Sequence, residues 1–167
     1  MRIITRLAGI RLLCFLVIIF LNDYTYAQGT WTPVATTAPH TSGGVMLLLT
    51  DGSVMVKTDQ GGGQGKIWDK LTPDVHGSYI NGTWTSLAPM TDDRLYFSTQ
   101  VLKDGRVYVA GGEYGSGGPK SAVYDPLTNT WTACPQIVFS HNISDANSDL
   151  LADGRVLQAV WIPVAPN

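Results

Sequence analysis

The sequence predicts an all-β chain built from a four-stranded antiparallel sheet that repeats. Two observations predict it. Glycine, threonine, valine, tryptophan and tyrosine are plentiful, and no stretch beyond residue 27 keeps a helical apolar period over three turns. The Asp-Gly pairs beginning at Asp51, Asp104 and Asp153 stand about 50 positions apart, as do Trp31, Trp84 and Trp131.

The most regular stretch, "DGRVYVAGGEYGSGGPKSAVYDPLTNTWT" (Asp104–Thr132), shows how one repeat is built. "YFSTQVL" (Tyr96–Leu102) and "RVYVAGG" (Arg106–Gly112) read as short strands a and b. Asp104-Gly105 between them predicts a tight hairpin with positive φ at both turn positions. The glycine loop "EYGSGGPK" leads to strand c, "SAVYD" (Ser121–Asp125), and the turn "PLTN" leads to strand d, "TWTAC" (Thr130–Cys134). The pattern recurs upstream as "VMLLLTDGSVMV" (Val45–Val56), "KIWDKLT" matching "AVYDPLT", and "GTWTSLAP" matching "NTWTACP"; downstream it recurs as "SDLLADGRVLQAV" (Ser148–Val160). A further strand d is expected at Thr30–Val34. One tryptophan per repeat of about 50 residues is the period of propeller blades.

Gly111-Gly112 closing strand b, Tyr124-Asp125 in strand c and Asn129-Thr130-Trp131 entering strand d resemble the kelch repeat. More narrowly, "GSYINGTWT" and "DGRVYVAGGEY" resemble bacterial exported kelch proteins related to the central domain of galactose oxidase. The resemblance implies a partial kelch-type β-propeller of four-stranded antiparallel blades, about two full blades plus partial ones. Blade one is expected at about 41–88, blade two at about 95–135 and a partial blade three at about 143–162. Lys57 and Thr58 stand where the double glycine belongs in the first repeat, and Ala159 and Val160 in the third. Propellers generally need four to eight blades to close, so residues 28–167 read as an incomplete propeller from a truncated reading frame or as chains that complete a ring together. Open blade faces imply self-association.

Residues 1–27 read as a signal peptide. Arg2, Arg6 and Arg11 give a positive start, "LLCFLVIIFL" (Leu12–Leu21) is an apolar core, and Thr25-Tyr26-Ala27 offers a small residue at the cut. The apolar run is shorter than the roughly 20 residues of a membrane span, and Cys14 lies inside it. The expected location is secreted or periplasmic, with no membrane span after cleavage. The leader holds three of the chain's 11 basic and one of its 13 acidic residues, so the remainder carries eight against twelve, a net charge of −4. An acidic chain without basic clusters argues against a nucleic-acid partner. Cys134 is then the single remaining cysteine, buried in a strand or available to another chain.

Antiparallel alternation sends the d-to-a and b-to-c loops to one end of the blades and the tight turns, with His76, to the other. The varied loops carry His40, Asp59, Gln60, Asp92, Asp93, Arg94, Glu113, Tyr114, His141, Asn142 and Asp145, the candidate ligand-binding face. Asp92 and Asp93 fit a carbohydrate or calcium site or, as a plainer reading, solvated loop caps. His40 and His141 lack partners at metal-ligand spacing, so no metal is expected. Glu113 is the chain's one glutamate, and pairing with Arg94 would account for it equally well. The recurrence of Trp31, Trp84 and Trp131 in strand d points to blade packing rather than sugar stacking. Asn81-Gly82-Thr83 and Asn142-Ile143-Ser144 fit the glycosylation pattern. The glycine runs precede no helix and are no phosphate cradle.

The functional expectation is an exported binding module presenting loops to carbohydrate or protein, without a cofactor. The alternative is a fragment of a galactose-oxidase-like copper oxidase, whose chemistry, as the resemblance implies, needs paired tyrosines, histidines and a cysteine crosslinked to tyrosine; no such cluster is visible in the sequence, and the expectation leans away from an enzyme. Export is checked by amino-terminal sequencing of the secreted chain, which should start at Gln28; an intact Met1 on the exported protein would refute the cleavage.

Overall fold

The computed structural model describes residues 29–59, 64–136 and 142–161. The expected signal peptide, Gln60 and His141 lie outside them. The chain divides into two units, Met1–Thr32 and Pro33–Asn167. Of the first, residues 29–32 are described; they form no strand, and Trp31 is 99% exposed. The strand expected at Thr30–Val34 is not formed among the described residues.

In the second unit, ten strands follow one another: β1 (Gly43–Leu48), β2 (Val54–Thr58), β3 (Trp68–Thr72), β4 (Thr83–Ser86), β5 (Arg94–Val101), β6 (Val107–Gly115), β7 (Ser121–Asp125), β8 (Thr130–Ala133), β9 (Ser148–Leu150) and β10 (Val156–Gln158). They form two antiparallel four-stranded sheets, β1-β2-β3-β4 and β5-β6-β7-β8, and a hairpin, β9-β10. No helix occurs among the described residues, and so none is long and apolar enough to cross a membrane.

The three Asp-Gly turns share one construction. Gly52, Gly105 and Gly154 have φ of 81, 87 and 91°, and their N–H groups donate to Leu49, Leu102 and Leu151 O at 3.0, 2.9 and 2.9 Å. Asp51, Asp104 and Asp153 accept, through Oδ1, the N–H two residues on, at 2.9, 3.1 and 3.0 Å. Positive φ is confined to the glycine of each pair. The loop is thus three residues with a left-handed glycine last, not the two-residue turn expected. The aspartate caps the following N–H from an ordinary conformation, which removes the need for a second left-handed residue.

Lead-in segments strap each blade to its outer strand. Trp84 Nε1 donates to Thr36 O at 3.2 Å and Trp131 Nε1 to Ala88 O at 2.8 Å. Asn129, at φ 53°, accepts both the Ala88 N–H (2.8 Å) and the Tyr124 hydroxyl (2.9 Å) through Oδ1. The Asn-Thr-Trp signature is therefore a clamp between strand d and the strap.

Pairing corrects two alignments made from sequence. Val54 faces Leu71 in β3 as Val107 faces Tyr124 in β7, so Leu71 is the counterpart of Tyr124 and Trp68 that of Ser121. The match of "KIWDKLT" to "AVYDPLT" is three residues out of register. The β3–β4 turn, residues 73–82, is longer than residues 126–129, and it absorbs the shift. Counting from the turn glycines likewise puts Thr58 and Asp59, not Lys57 and Thr58, opposite the double glycine. The glycines serve close approach: the Gly112 N–H donates to Ser144 O at 2.8 Å, and a Cβ on Gly111 would overlap Ser144 O.

The core lies between the two sheets. Leu49, Met55, Trp68 and Met90 pack with Val107, Val109 and Tyr124, flanked by Phe97, Val101 and Trp131. The Trp68 ring meets Phe97 edge-on at 6.3 Å and Trp131 at 5.9 Å. Met46 and Leu48 on the opposite face of β1 are exposed.

A Cβ on Gly105 would stand 2.7 Å from Thr50 Oγ1 at a φ of +87°. Gly105→Val should cost about 1 kcal/mol or more, read as a lower urea midpoint; an unchanged midpoint would refute the turn and its contact with the first sheet.

Candidate functional site

Strand β5 begins at Arg94 rather than at Tyr96, and its register with β6 jumps between Leu95 and Phe97. Tyr96 sits in this bulge at φ 52°. A bulky residue with left-handed backbone is an outlier that surrounding structure must hold in place, and a bulge re-aims a side chain. Tyr96 is 58% exposed and Tyr114 47%. Their rings meet edge-on, with centroids 6.1 Å apart at 67°.

Beside Tyr96 opens a cavity of about 500 Å³, lined from the first sheet by Gly44, Val45, Lys57 and Asp59, from β5 by Leu95, Tyr96 and Phe97, and from the segment before β9 by Asp145 and Asn147. Lys57 is 1% exposed, forms an ion pair with Asp59, and lies 5.8 Å from the Phe97 ring centroid. A Cβ on Gly44 would come within 2.6 Å of Asp59 Oδ2, so glycine lets the carboxylate fold over β1. Asp145 and Asn147 are exposed.

Asp92, Asp93 and Arg94 form a separate framework. Arg94 is buried; its Nη1 donates to Gly111 O and, at 3.0 Å, to Lys120 O, and its Nη2 stands 3.6 Å from Asp92 Oδ2. Burial pulls the Arg94 guanidinium below its usual value while Asp92 pulls it back. Asp92 also takes Lys120 Nζ at 2.6 Å and the Ser116 hydroxyl at 3.1 Å. The Asp93 N–H donates to Ser116 Oγ at 3.2 Å, and Asp93 O accepts the Ser116 N–H at 3.0 Å. Burial alone would raise the Asp92 carboxyl, but the hydrogen bonds and cations outweigh it and hold it below its usual value. These contacts close the β6–β7 loop, which begins two residues after Tyr114. Glu113 is exposed, and the pairing of Arg94 with it is replaced by Asp92.

His40 is tied to buried Asp69, with Nδ1 2.9 Å from Oδ1 and the backbone N–H donating to Oδ2 at 3.1 Å. Asn142 exchanges backbone hydrogen bonds with Trp161, and its Oδ1 accepts the Ser144 N–H at 3.1 Å. Of the candidates from sequence, Asp59 and Asp145 line the cavity and Tyr114 borders it through Tyr96; His40, Asp92, Asp93, Arg94 and Asn142 stand elsewhere. Tyr96, Lys57 and Asn147 were missed. Lys57 had a signal, a charge inside the otherwise apolar strand "VMV", which demands a partner. Cys134, expected within strand d, lies half-buried just beyond β8. No three His, Cys, Asp or Glu side chains converge among the described residues.

No family model matches the chain. A Kelch-like protein of Aspergillus terreus, terF, is 36% identical over 80 residues, which is 44% of this chain and 17% of that protein. The solved structure of YjhT matches with a TM-score of 0.53 at 22% identity, covering 74% of this chain and 35% of that one. The fold is that of a kelch-type propeller. A fungal alcohol oxidase of the AA5 family, solved in complex with copper, aligns at 33% identity over 54% of this chain and 18% of its own, with a TM-score of 0.42, a superposition too loose to place residues. The chain thus spans less than half the length of each. In kelch-type terms, β1–β4 and β5–β8 are two blades, and β9–β10 is the inner hairpin of a third. The cavity is lined by β1, β2 and β5 and by the segment leading into β9.

Because the native Asp92 carboxyl is held low, its contribution to stability is present above its ordinary value of 3.8 and is lost as pH falls through the lower native value. Asp92→Asn should therefore cost about 1–3 kcal/mol at neutral pH, and the gap to the parent should close in acid. Urea unfolding of both proteins at neutral and strongly acidic pH checks this; a gap that stays constant would refute the pairing.

Proposed function

We propose that this chain is the carbohydrate-binding part of an exported kelch-type protein, with its site at Tyr96, Tyr114 and the adjoining cavity. The observation that carries the reading is Tyr96, held out of β5 by a bulge in a left-handed conformation and met edge-on by Tyr114 at the cavity mouth. A sugar ring presents a face of C–H groups and an edge of hydroxyls. Exposed aromatic faces suit the first, and the carboxylate and amide acceptors of Asp59, Asp145 and Asn147 suit the second. Export follows from the features of Met1–Ala27. Binding is the role assigned, and Arg94, Asp92 and Asp93 support it by holding the β6–β7 loop that follows Tyr114.

Truncation of an aromatic that stacks on a ligand costs roughly 0.5–1.5 kcal/mol beyond lost area, so Tyr96→Ala should weaken a neutral oligosaccharide several-fold to about tenfold. A glycan array identifies the binder and calorimetry measures the variant. An array with no retained glycan, or a Tyr96→Ala protein binding as tightly as the parent, would count against the site.

A further inference from the structure

Three electrostatic facts converge on the cavity beside Tyr96. Among the described residues its lining cation is Lys57, which is buried and paired with Asp59. Two carboxylates, Asp59 and Asp145, line the same space, and Asp145 is exposed. Tyr96 lines it as well, and the rings of Tyr96 and Tyr114 are both exposed with centroids 6.1 Å apart. What the cavity presents to an entering molecule is therefore negative charge and π-faces, both of which attract a cation.

We propose that this site selects sugars bearing a protonated amine, such as a glucosamine residue without its acetyl group, over neutral sugars and against uronic acids. The inference rests on the carbohydrate reading above. The ammonium group donates to Asp145 and to the oxygen of Asp59 that Lys57 leaves open, while the ring lies against Tyr96. An ammonium offers three donors to these acceptors, and a hydrogen bond between charged partners is roughly twice as strong as a neutral one. A uronic acid brings its carboxylate against Asp59 and Asp145 without access to Lys57, and like charge at this range repels. Phe97 beneath Lys57 keeps the ammonium of the lysine inside the blade interface, so a rearrangement that would offer it to an acid breaks the ion pair with Asp59.

The test is calorimetry on the full chain with three probes: a β-1,4-linked glucosamine tetramer, its fully N-acetylated counterpart, and a galacturonate oligomer of the same length. The free amine should bind roughly tenfold tighter than the acetylated form, the uronate should give no heat, and raising salt should erode the preference. Asp145→Asn should remove the preference by weakening the amine tetramer far more than the acetylated one, and Tyr96→Ala should weaken both. Equal affinity for the amine and acetyl tetramers, with both lost in Tyr96→Ala, would overturn amine selection and leave carbohydrate binding standing. Failure of all three probes would overturn both.

Discussion

Trp68 is the residue on which the rest of the structure depends. It projects from β3 into the space between the two blades, fully buried, with Phe97 edge-on to it and Trp131 tilted against it. Its Nε1 has no hydrogen-bond partner among the described residues. Leaving that donor dry costs about 1–3 kcal/mol, whereas burying roughly 200 Å² of indole at about 25 cal/mol per Å² contributes ~5 kcal/mol. Packing wins, and the indole sits where the rings require it. Phe97 in turn holds the start of β5 against the first blade, and Lys57, opposite Trp68 in the β2–β3 ladder, comes to lie over the same phenyl ring. The floor of the cavity is thus the upper rim of the blade interface.

The parts of this arrangement that could be read from sequence are those made by neighbours along the chain. Each Asp-Gly turn is built by an aspartate bonding two residues ahead and a glycine closing back three behind, so its signature is local and survives in all three repeats. The strand-d tryptophans were legible for a related reason. Trp84 and Trp131 grip the straps at Thr36 and Ala88, and that job recurs wherever a blade is closed. Trp31, without a strap to grip among the described residues, shows that the spacing alone did not guarantee the packing.

What was hidden depends on contacts across blades. "KIWDKLT" and "AVYDPLT" look alike because both are β-branched or aromatic runs followed by aspartate. The ladder with β2 is set by burial instead, and it slides the first by three residues so that Trp68 faces the second blade. A slip by an odd number exchanges the two faces of a strand, so similarity of letters pointed to the wrong side. Tyr96 was hidden in the same way. Its bulge exists because Arg94 pairs with Gly115 while Phe97 pairs with Gly111, leaving an unequal number of residues between. No local rule writes a tyrosine into a left-handed conformation; the two anchored ends impose it.

The acidic and basic residues of "TDDR" show why charge in a loop was a poor guide to the site and yet lay close to it. Buried Arg94 is costly unless its donors are met; Nη1 donates to Gly111 O and Lys120 O and Nη2 pairs with Asp92, while Nε has no hydrogen-bond partner among the described residues. Meeting them ties Gly111 in β6 to Lys120 at the end of the β6–β7 loop, and Asp93 holds Ser116, the first residue of that loop, to the segment before β5. Tyr114 lies in β6 opposite Leu95, just before that closed loop. A ring on a mobile loop would lose much of its contact energy to ordering, whereas this one is fixed before any ligand arrives. The charges therefore serve the site indirectly: they close the loop that follows the strand carrying Tyr114.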